Sequence, residues 1–333
     1  MSAGHGVWRR FRADRTAFLA FLFLLVVLAG SLLAPLWPLP APGRLALQDE
    51  PLAPVPPWRE LARPGFRADP YGLSAIDVRL GELRESLFGD LQTAPWLGTD
   101  AKGRDLLARV VWGSRTSILA ALAAGLASLA IGVSWGAVAG FAGRRTDEAL
   151  MRTVDALQSL PFLFLVIFLV GIVGEYRSEL EARFGIGREA VFYVVLGAVS
   201  WLPMARLVRG QVLALRRSAF VEAARVAGAS TPRILAAHVL PNVLPVVVVA
   251  LTLTIPTVML SEAFLSFLGL GIEPPKVSWG LLAADGIEAL NPVRIAWWVV
   301  LAPALAMGSV LFALNVVADG LRDAVDPRLA GRR

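Results

Sequence analysis

Hydrophobic positions along this chain fall in long unbroken blocks rather than in alternation, and the block lengths predict the architecture. Apolar runs lie at about 17–36, 116–141, 157–174, 189–208, 242–270 and 295–318. Each approaches or exceeds the roughly 20 residues that a helix needs to cross a bilayer. The expectation is an all-α polytopic membrane protein with six transmembrane helices. Trp8-Arg9-Arg10-Phe11-Arg12 and Arg15 precede the first run, as in a signal peptide. That run, however, is longer than the about 7–15 residues of a signal core and ends in Leu36-Trp37-Pro38-Leu39-Pro40 rather than in small residues. It reads as an uncleaved first span.

The stretch after it differs in kind. Pro38, Pro40, Pro42, Pro51, Pro54, Pro56, Pro57, Pro64 and Pro70 exclude regular helix before about residue 72. Ser74-x-x-Asp77 then has the form of a capping box, and Ile76, Leu80, Leu83 and Leu87 share one helical face. The spacing predicts an amphipathic helix over 75–88. A second is expected over 100–112, gathering Leu106, Leu107, Val110 and Val111. Both are expected on the membrane surface or on a partner. The chain thus divides into an N-terminus with first helix (1–36), an extracytoplasmic insertion (37–115), a five-helix core (116–318) and a cytoplasmic tail (319–333).

Composition agrees. Of 333 residues, 56% are hydrophobic and 17% charged, against about 45–50% and about 25% in soluble domains. Disorder, a secreted disulfide scaffold and a cytosolic enzyme are excluded. With no cysteine there is no thiolate metal site, iron–sulfur cluster or thiol nucleophile. His5 and His238 are too few and too far apart for a histidine metal site. The pI of about 10.6 is explained by arginine-rich cytoplasmic loops, without nucleic acid. With six spans and both termini inside, the inner segments hold seventeen arginines. The short outer loops at 175–189 and 273–294 hold four arginines and one lysine.

Among motifs, Ser128, Gly132, Gly136 and Gly140 recur at four-residue spacing, which lets two helix backbones approach. Residues 221–241 read as helix, stop, helix. Alanine-rich 220–227 favours helix, Gly228 suits its C-terminus, and Ser230 or Thr231 suits the next N-cap with Pro232 in the first turn. Glu262 is the carboxylate placed well inside a span, with Ser261 and Thr257 nearby. It either lines a solute pathway, hydrogen-bonds to a helix of a partner subunit, or sits nearer the outer interface. The segment Gly98–Asp105 superficially resembles a phosphate-binding loop but lacks its Lys-[Ser/Thr] pair and follows no predicted strand. No catalytic constellation is visible.

The cytoplasmic segment resembles the EAA loop of permease subunits in binding-protein-dependent ABC importers. Glu222, Ala223, Ala224, Gly228, Leu240 and Pro241 fit its spacing, and His238 stands where the general pattern has Ile, as in the oligopeptide/dipeptide branch. Leu97-Gly98-Thr99-Asp100-x-x-Gly103-Arg104-Asp105-Leu106, Met204-Ala205-Arg206-x-x-Arg209-Gly210-Gln211, Phe264–Gly271 and Asp319–Pro327 are similar to the same branch. The resemblance covers about 95–328 and is greatest to the C-type, second permease subunit. It implies a type I permease fold whose loop at 209–241 couples to a cytoplasmic ATPase through Glu222, Ala223, Ala224, Arg225, Gly228 and Pro241. It also implies a second homologous permease, two ABC ATPases holding ATP and Mg, and an extracytoplasmic binding protein. This chain itself would bind no cofactor. Asp100, Arg104 and Asp105 are candidates for touching the binding protein, a solvated helix being the plainer reading. Arg206, Arg209, Arg216 and Arg217 flank the loop and follow the positive-inside rule. Nickel or another small solute in place of peptide stays open, as does an ATPase-independent channel. An intramembrane enzyme has almost no groups to work with.

Overall fold

A computed structural model describes residues 3–40, 42, 53–54, 75–89, 93, 95–184, 188–274, 276–290 and 296–325. They form helices α1 (Ala3–Ala13), α2 (Arg15–Leu32), α3 (Ala75–Phe88), α4 (Leu106–Phe141), α5 (Arg144–Gln158), α6 (Phe162–Glu175), α7 (Arg177–Phe184) and α8 (Arg188–Leu215). These are followed by α9 (Ala219–Val226), α10 (Thr231–Ile234), α11 (Leu240–Phe267), α12 (Trp279–Glu288) and α13 (Trp297–Val325). No β-strand occurs among the described residues. Ser74, the predicted cap of α3, lies outside them, as does the chain beyond 325.

Among the described residues, five helices are long and apolar enough to cross a membrane: α2, α4, α8, α11 with the segment before it, and α13. Helices α5 and α6 pass the same test only together, bent by 89° at the break between them, and counting that pair as one span brings the number to six. Pro161 explains the break, because it has no N–H to continue the α5 ladder and holds the chain extended before Phe162. The helix expected over 100–112 is not a separate element. Residues 100–105 are a turn, and α4 runs without interruption from Leu106 through Phe141.

The helices sort into two compact units. The first comprises Met1–Phe21, Ala120–Val258 and Leu314–Arg333. Its central seam packs α4 on α8. A Cβ added to Gly132, Gly136 or Gly140 would lie 2.7 Å from Met204 Cβ, 2.3 Å from the Ala205 carbonyl oxygen and 2.8 Å from Val212 Cβ. Ser128 Oγ donates to the Ser200 carbonyl at 2.9 Å across the same seam. In this unit Asp14 caps α2, accepting from the N–H groups of Thr16 and Ala17. Gly320 admits Ala17, whose Cβ would be 2.3 Å from a Cβ added there.

The second unit comprises Leu22–Leu119 and Met259–Ala313. Here Gly280 of α12 lies against the backbone of Ala263, where a Cβ would meet the carbonyl oxygen at 2.3 Å. The Trp279 indole donates to the Val110 carbonyl at 3.0 Å. Helix α3 packs on the 3₁₀ turn Ala34–Leu36. It turns Asp77 and Arg84 inward and leaves Ile76, Leu83 and Leu87 exposed. Burial pulls the Arg84 guanidinium below its ordinary pKa, against the opposing pull of Glu85.

Candidate functional site

The segment between α8 and α11 is built on a small apolar base. Val221 and Ala224 of α9, Ile234 of α10 and Val239 join Met204, Val208 and Val212 of α8 and Val243 and Val247 of α11 in one buried cluster. Residues 221 and 224 are one turn apart, so they fasten α9 by one face and leave the rest of it outside. Glu222, Ala223, Arg225, Val226 and Ala227 are exposed. The sequence-predicted set is thereby split, with Ala224 belonging to the base and its neighbours to the outer face. Arg225 stacks its guanidinium 5.7 Å from the Phe141 ring centroid.

Helix α9 ends in a Schellman motif. The N–H of Ala229 donates to the Ala224 carbonyl at 3.0 Å, and that of Gly228 to the Arg225 carbonyl at 2.9 Å. Gly228 has φ +81°, with open space where a Cβ would stand. Glycine is required there for its backbone angle and not for room. Ser230 occupies the next N-cap position, with Pro232 in the first turn of α10.

Before α11 the backbone widens into a π-helical turn over Leu235–Val239. Pro241 accounts for it, since its missing N–H removes one ladder bond and its ring crowds the carbonyl four residues back. The Asn242 side chain donates to the His238 carbonyl at 2.6 Å. Pro241 itself is exposed.

The arginines flanking this segment have partners that sequence reading missed. Arg209 makes a two-pronged pair with Asp147, one prong at 2.7 Å, and Arg206 reaches Asp155 at 2.5 Å. Arg216 donates to the Gly140 carbonyl at 3.2 Å, whereas Arg217 is exposed. The available signal was the pair of aspartates two turns apart on α5. Val226 was also missed. It is 91% exposed, and its place on the face opposite Val221 and Ala224 marks it as an apolar side chain the fold leaves out.

Two other predicted groups lie inside the fold. Glu262 is 0% exposed. Its Oε1 accepts from Ser266 Oγ at 2.8 Å, and the hydroxyls of Ser117 and Ser278 stand against the same carboxyl. Ser278 also caps α12 by accepting from the Leu281 N–H. Glu262 is thus enclosed by hydroxyls from its own helix, from α4 and from the N-cap of α12. Ser261 is half-buried and Thr257 exposed.

The second is the turn at 98–105, where the three candidates for a binding-protein contact are spent inside the fold. Asp100, 2% exposed, accepts from the N–H groups of Lys102 and Arg104, from Arg104 Nε at 2.6 Å and from Arg109 at 2.6 Å. Arg104 also reaches Asp285 of α12 at 2.9 Å. Asp105 caps α4, accepting from the Ala108 N–H at 3.0 Å. Gly98 and Gly103, at φ +77° and +71°, make the turn possible. The Trp298 indole donates to the Thr99 carbonyl at 3.1 Å. Asp100 and Asp105 are both buried in this turn, and Arg104 is largely so.

Comparison with known proteins agrees with this architecture. Residues 132–331 match the family described as binding-protein-dependent transport system inner membrane component. Residues 2–54 match the N-terminal transmembrane domain of oligopeptide transport permease C. The chain belongs to the binding-protein-dependent transport permease family, and within it to the C-type permeases of the oligopeptide branch. It is 43% identical over 239 residues to the oligopeptide transport system permease protein OppC of Escherichia coli, covering 72% of this chain and 74% of that one. To the dipeptide transport system permease protein DppC of Bacillus subtilis it is 41% identical over 234 residues, or 70% and 69% of the two chains. Among solved structures, a chain of the MetNI methionine ABC transporter in an inward-facing conformation superimposes with a TM-score of 0.51 at 20% identity. That match covers 66% of this chain and 98% of that one. The fold is that of a type I ABC importer permease.

Proposed function

We propose that this chain is the C-type transmembrane subunit of an ATP-driven, binding-protein-dependent peptide importer, supplying half of the translocation pathway. The observation that carries the reading is α9, fastened by Val221 and Ala224 and presenting Glu222, Ala223 and Val226 outward. A short rigid helix with small side chains and one exposed valine suits insertion into a groove of a cytoplasmic ATPase. Glu222 supplies the charge that selects a basic partner there. Peptide as cargo is supported by the names of the oligopeptide and dipeptide relatives.

In this reading both termini are cytoplasmic and the complex contains a second homologous permease, two ABC ATPases and an extracytoplasmic binding protein. ATP and Mg reside on the ATPases. Hydrolysis there moves α9, and the motion passes through Val221, Ala224 and Ile234 into α8 and α11, switching the pathway between inward-open and outward-open states.

The test is purification of the tagged chain from native membranes in mild detergent after crosslinking, with mass spectrometry of proteins and retained small molecules. Recovery of a second permease, nucleotide-binding ATPases and a peptide-loaded binding protein is the expected result. A nickel or other small-solute ligand would change the cargo and leave the mechanism. Recovery of this chain alone would replace the reading with an ATPase-independent channel.

A further inference from the structure

Helix α3 lies between the two family matches, which end at residue 54 and begin again at 132. Its arrangement is unusual for a helix outside the membrane-crossing segments. The buried side holds Asp77 and Arg84, 4% and 0% exposed, while Ile76, Leu83 and Leu87 are exposed and line up along one face. Arg79, Glu82, Glu85 and Ser86 occupy the far side, also exposed.

Of the inward charges, Asp77 fastens α3 to α4. Asp77 accepts from Arg115 of α4 at 2.6 Å, and Arg115 in turn lies over the Trp112 ring. Arg115 stands immediately before the apolar run of α4 that begins at 116. At its other attachment, α3 packs on the turn Ala34–Leu36, two residues beyond the end of the α2 span. Both anchor points are therefore the margins of apolar spans. A helix tied to two such margins is held at the level where the hydrocarbon ends. Trp37, which directly follows the turn, is exposed beside the last turns of α2, where an amphipathic indole favours the headgroup level.

We infer that α3 lies in the bilayer interface, with Ile76, Leu83 and Leu87 in contact with lipid acyl chains and its charged far side in water. The occupant of the apolar face is lipid because both attachments of α3, to Arg115 and to the turn Ala34–Leu36, stand at the margins of apolar spans. A soluble protein would have to compete with the bilayer for a strip already at its edge. Burying three such side chains holds α3 down against the membrane. The inference concerns a segment apart from α9 and is independent of the cargo and of the ATPase.

The chain has no cysteine, so nitroxide labels can be placed singly in the full-length protein in lipid nanodiscs. Ile76→Cys, Leu83→Cys and Leu87→Cys report on the apolar face, Glu82→Cys and Glu85→Cys on the other. Collision with oxygen, which concentrates in lipid, is compared with collision with a water-soluble nickel chelate. The oxygen-to-nickel ratio is expected to be several-fold higher at 76, 83 and 87 than at 82 and 85. Equal nickel access at all five positions would place α3 in water and overturn the inference. So would shielding of 76, 83 and 87 from both reagents, which would mean that protein covers the face. All five side chains are exposed, so labelling leaves the packing of α3 intact.

Discussion

Arg109 and Asp285 form an ion pair at 2.8 Å, and the guanidinium that makes it is 1% exposed. The same nitrogen also reaches Asp100 at 2.6 Å, so one buried cation joins the turn before α4 to α12. Removing one partner of a buried pair leaves an uncompensated charge, a loss of about 3–5 kcal/mol. Arg109→Met is expected to lower the thermal unfolding temperature of the purified chain sharply. Asp285→Asn, at a partly exposed carboxylate, should lower it less. Unchanged melting of Arg109→Met would show that the network is dispensable.

The α4–α8 seam makes a second, steric prediction. A side chain at Gly136 would have to displace the Ala205 carbonyl, 2.3 Å from its Cβ, and overpacking of this kind typically costs about 1–3 kcal/mol. Gly210 sits on α8 with nothing within 4 Å of an added Cβ, and alanine there gains up to about 1 kcal/mol of helix propensity. Gly136→Val should therefore destabilise while Gly210→Ala does not. Equal melting of the two variants would show that the helices separate freely.

Glu262 yields a third. Glutamine keeps a carbonyl oxygen for the Ser266 hydroxyl, so Glu262→Gln should preserve both folding and substrate preference. Glu262→Leu removes that acceptor, an expected loss of about 1–3 kcal/mol for the polar groups left unmatched. Uptake assays with charged and neutral peptides check the first variant. A changed profile would place this carboxylate on the pathway.

The long helices were legible because a bilayer imposes length and apolarity that a single sequence displays openly. The bend before α6 was not read, although Pro161 was there to mark it, because the apolar run continues beyond that proline. Residues 100–105 read as the start of a helix because the apolar spacing of Leu106, Leu107, Val110 and Val111 does not show where that helix begins, whereas the charged residues before it form a turn. What they do depends on Asp285, far along the chain, and no local pattern names that partner. The α9 segment was read well because its signals are local: alanines, a glycine stop and a proline restart. Which of those residues face inward depended on the base formed with α8 and α11. For that reason Val226 escaped notice.

Gly228 supports a fourth prediction. An L-residue in the left-handed region costs roughly 1–2 kcal/mol, and at φ +81° Gly228→Ala should unwind the last turn of α9. Amide hydrogen exchange over 219–229 is expected to accelerate, with Gly228→Asn falling between the two. Identical protection in Gly228→Ala would show that the Schellman bonds of Gly228 and Ala229 do not hold the helix end.

The last prediction separates neighbours that the sequence grouped together. Glu222 and Val226 point outward, whereas Ala224 is part of the buried base. Glu222→Lys forfeits only a favourable contact with the α9 N-terminus, about 0.3–1 kcal/mol, so insertion and melting should stay close to wild type. If α9 docks on the ATPase, the reversed charge should nevertheless abolish uptake and co-purification of the ATPase, and Val226→Asp should act likewise. Ala224→Asp places an unpaired carboxylate against Val208 and Val212 and should fail at the level of folding. Peptide uptake, ATPase recovery and thermal melting measured on the three variants distinguish loss of docking from loss of structure. Undiminished uptake in Glu222→Lys would remove α9 from the coupling role, whatever the other two variants do.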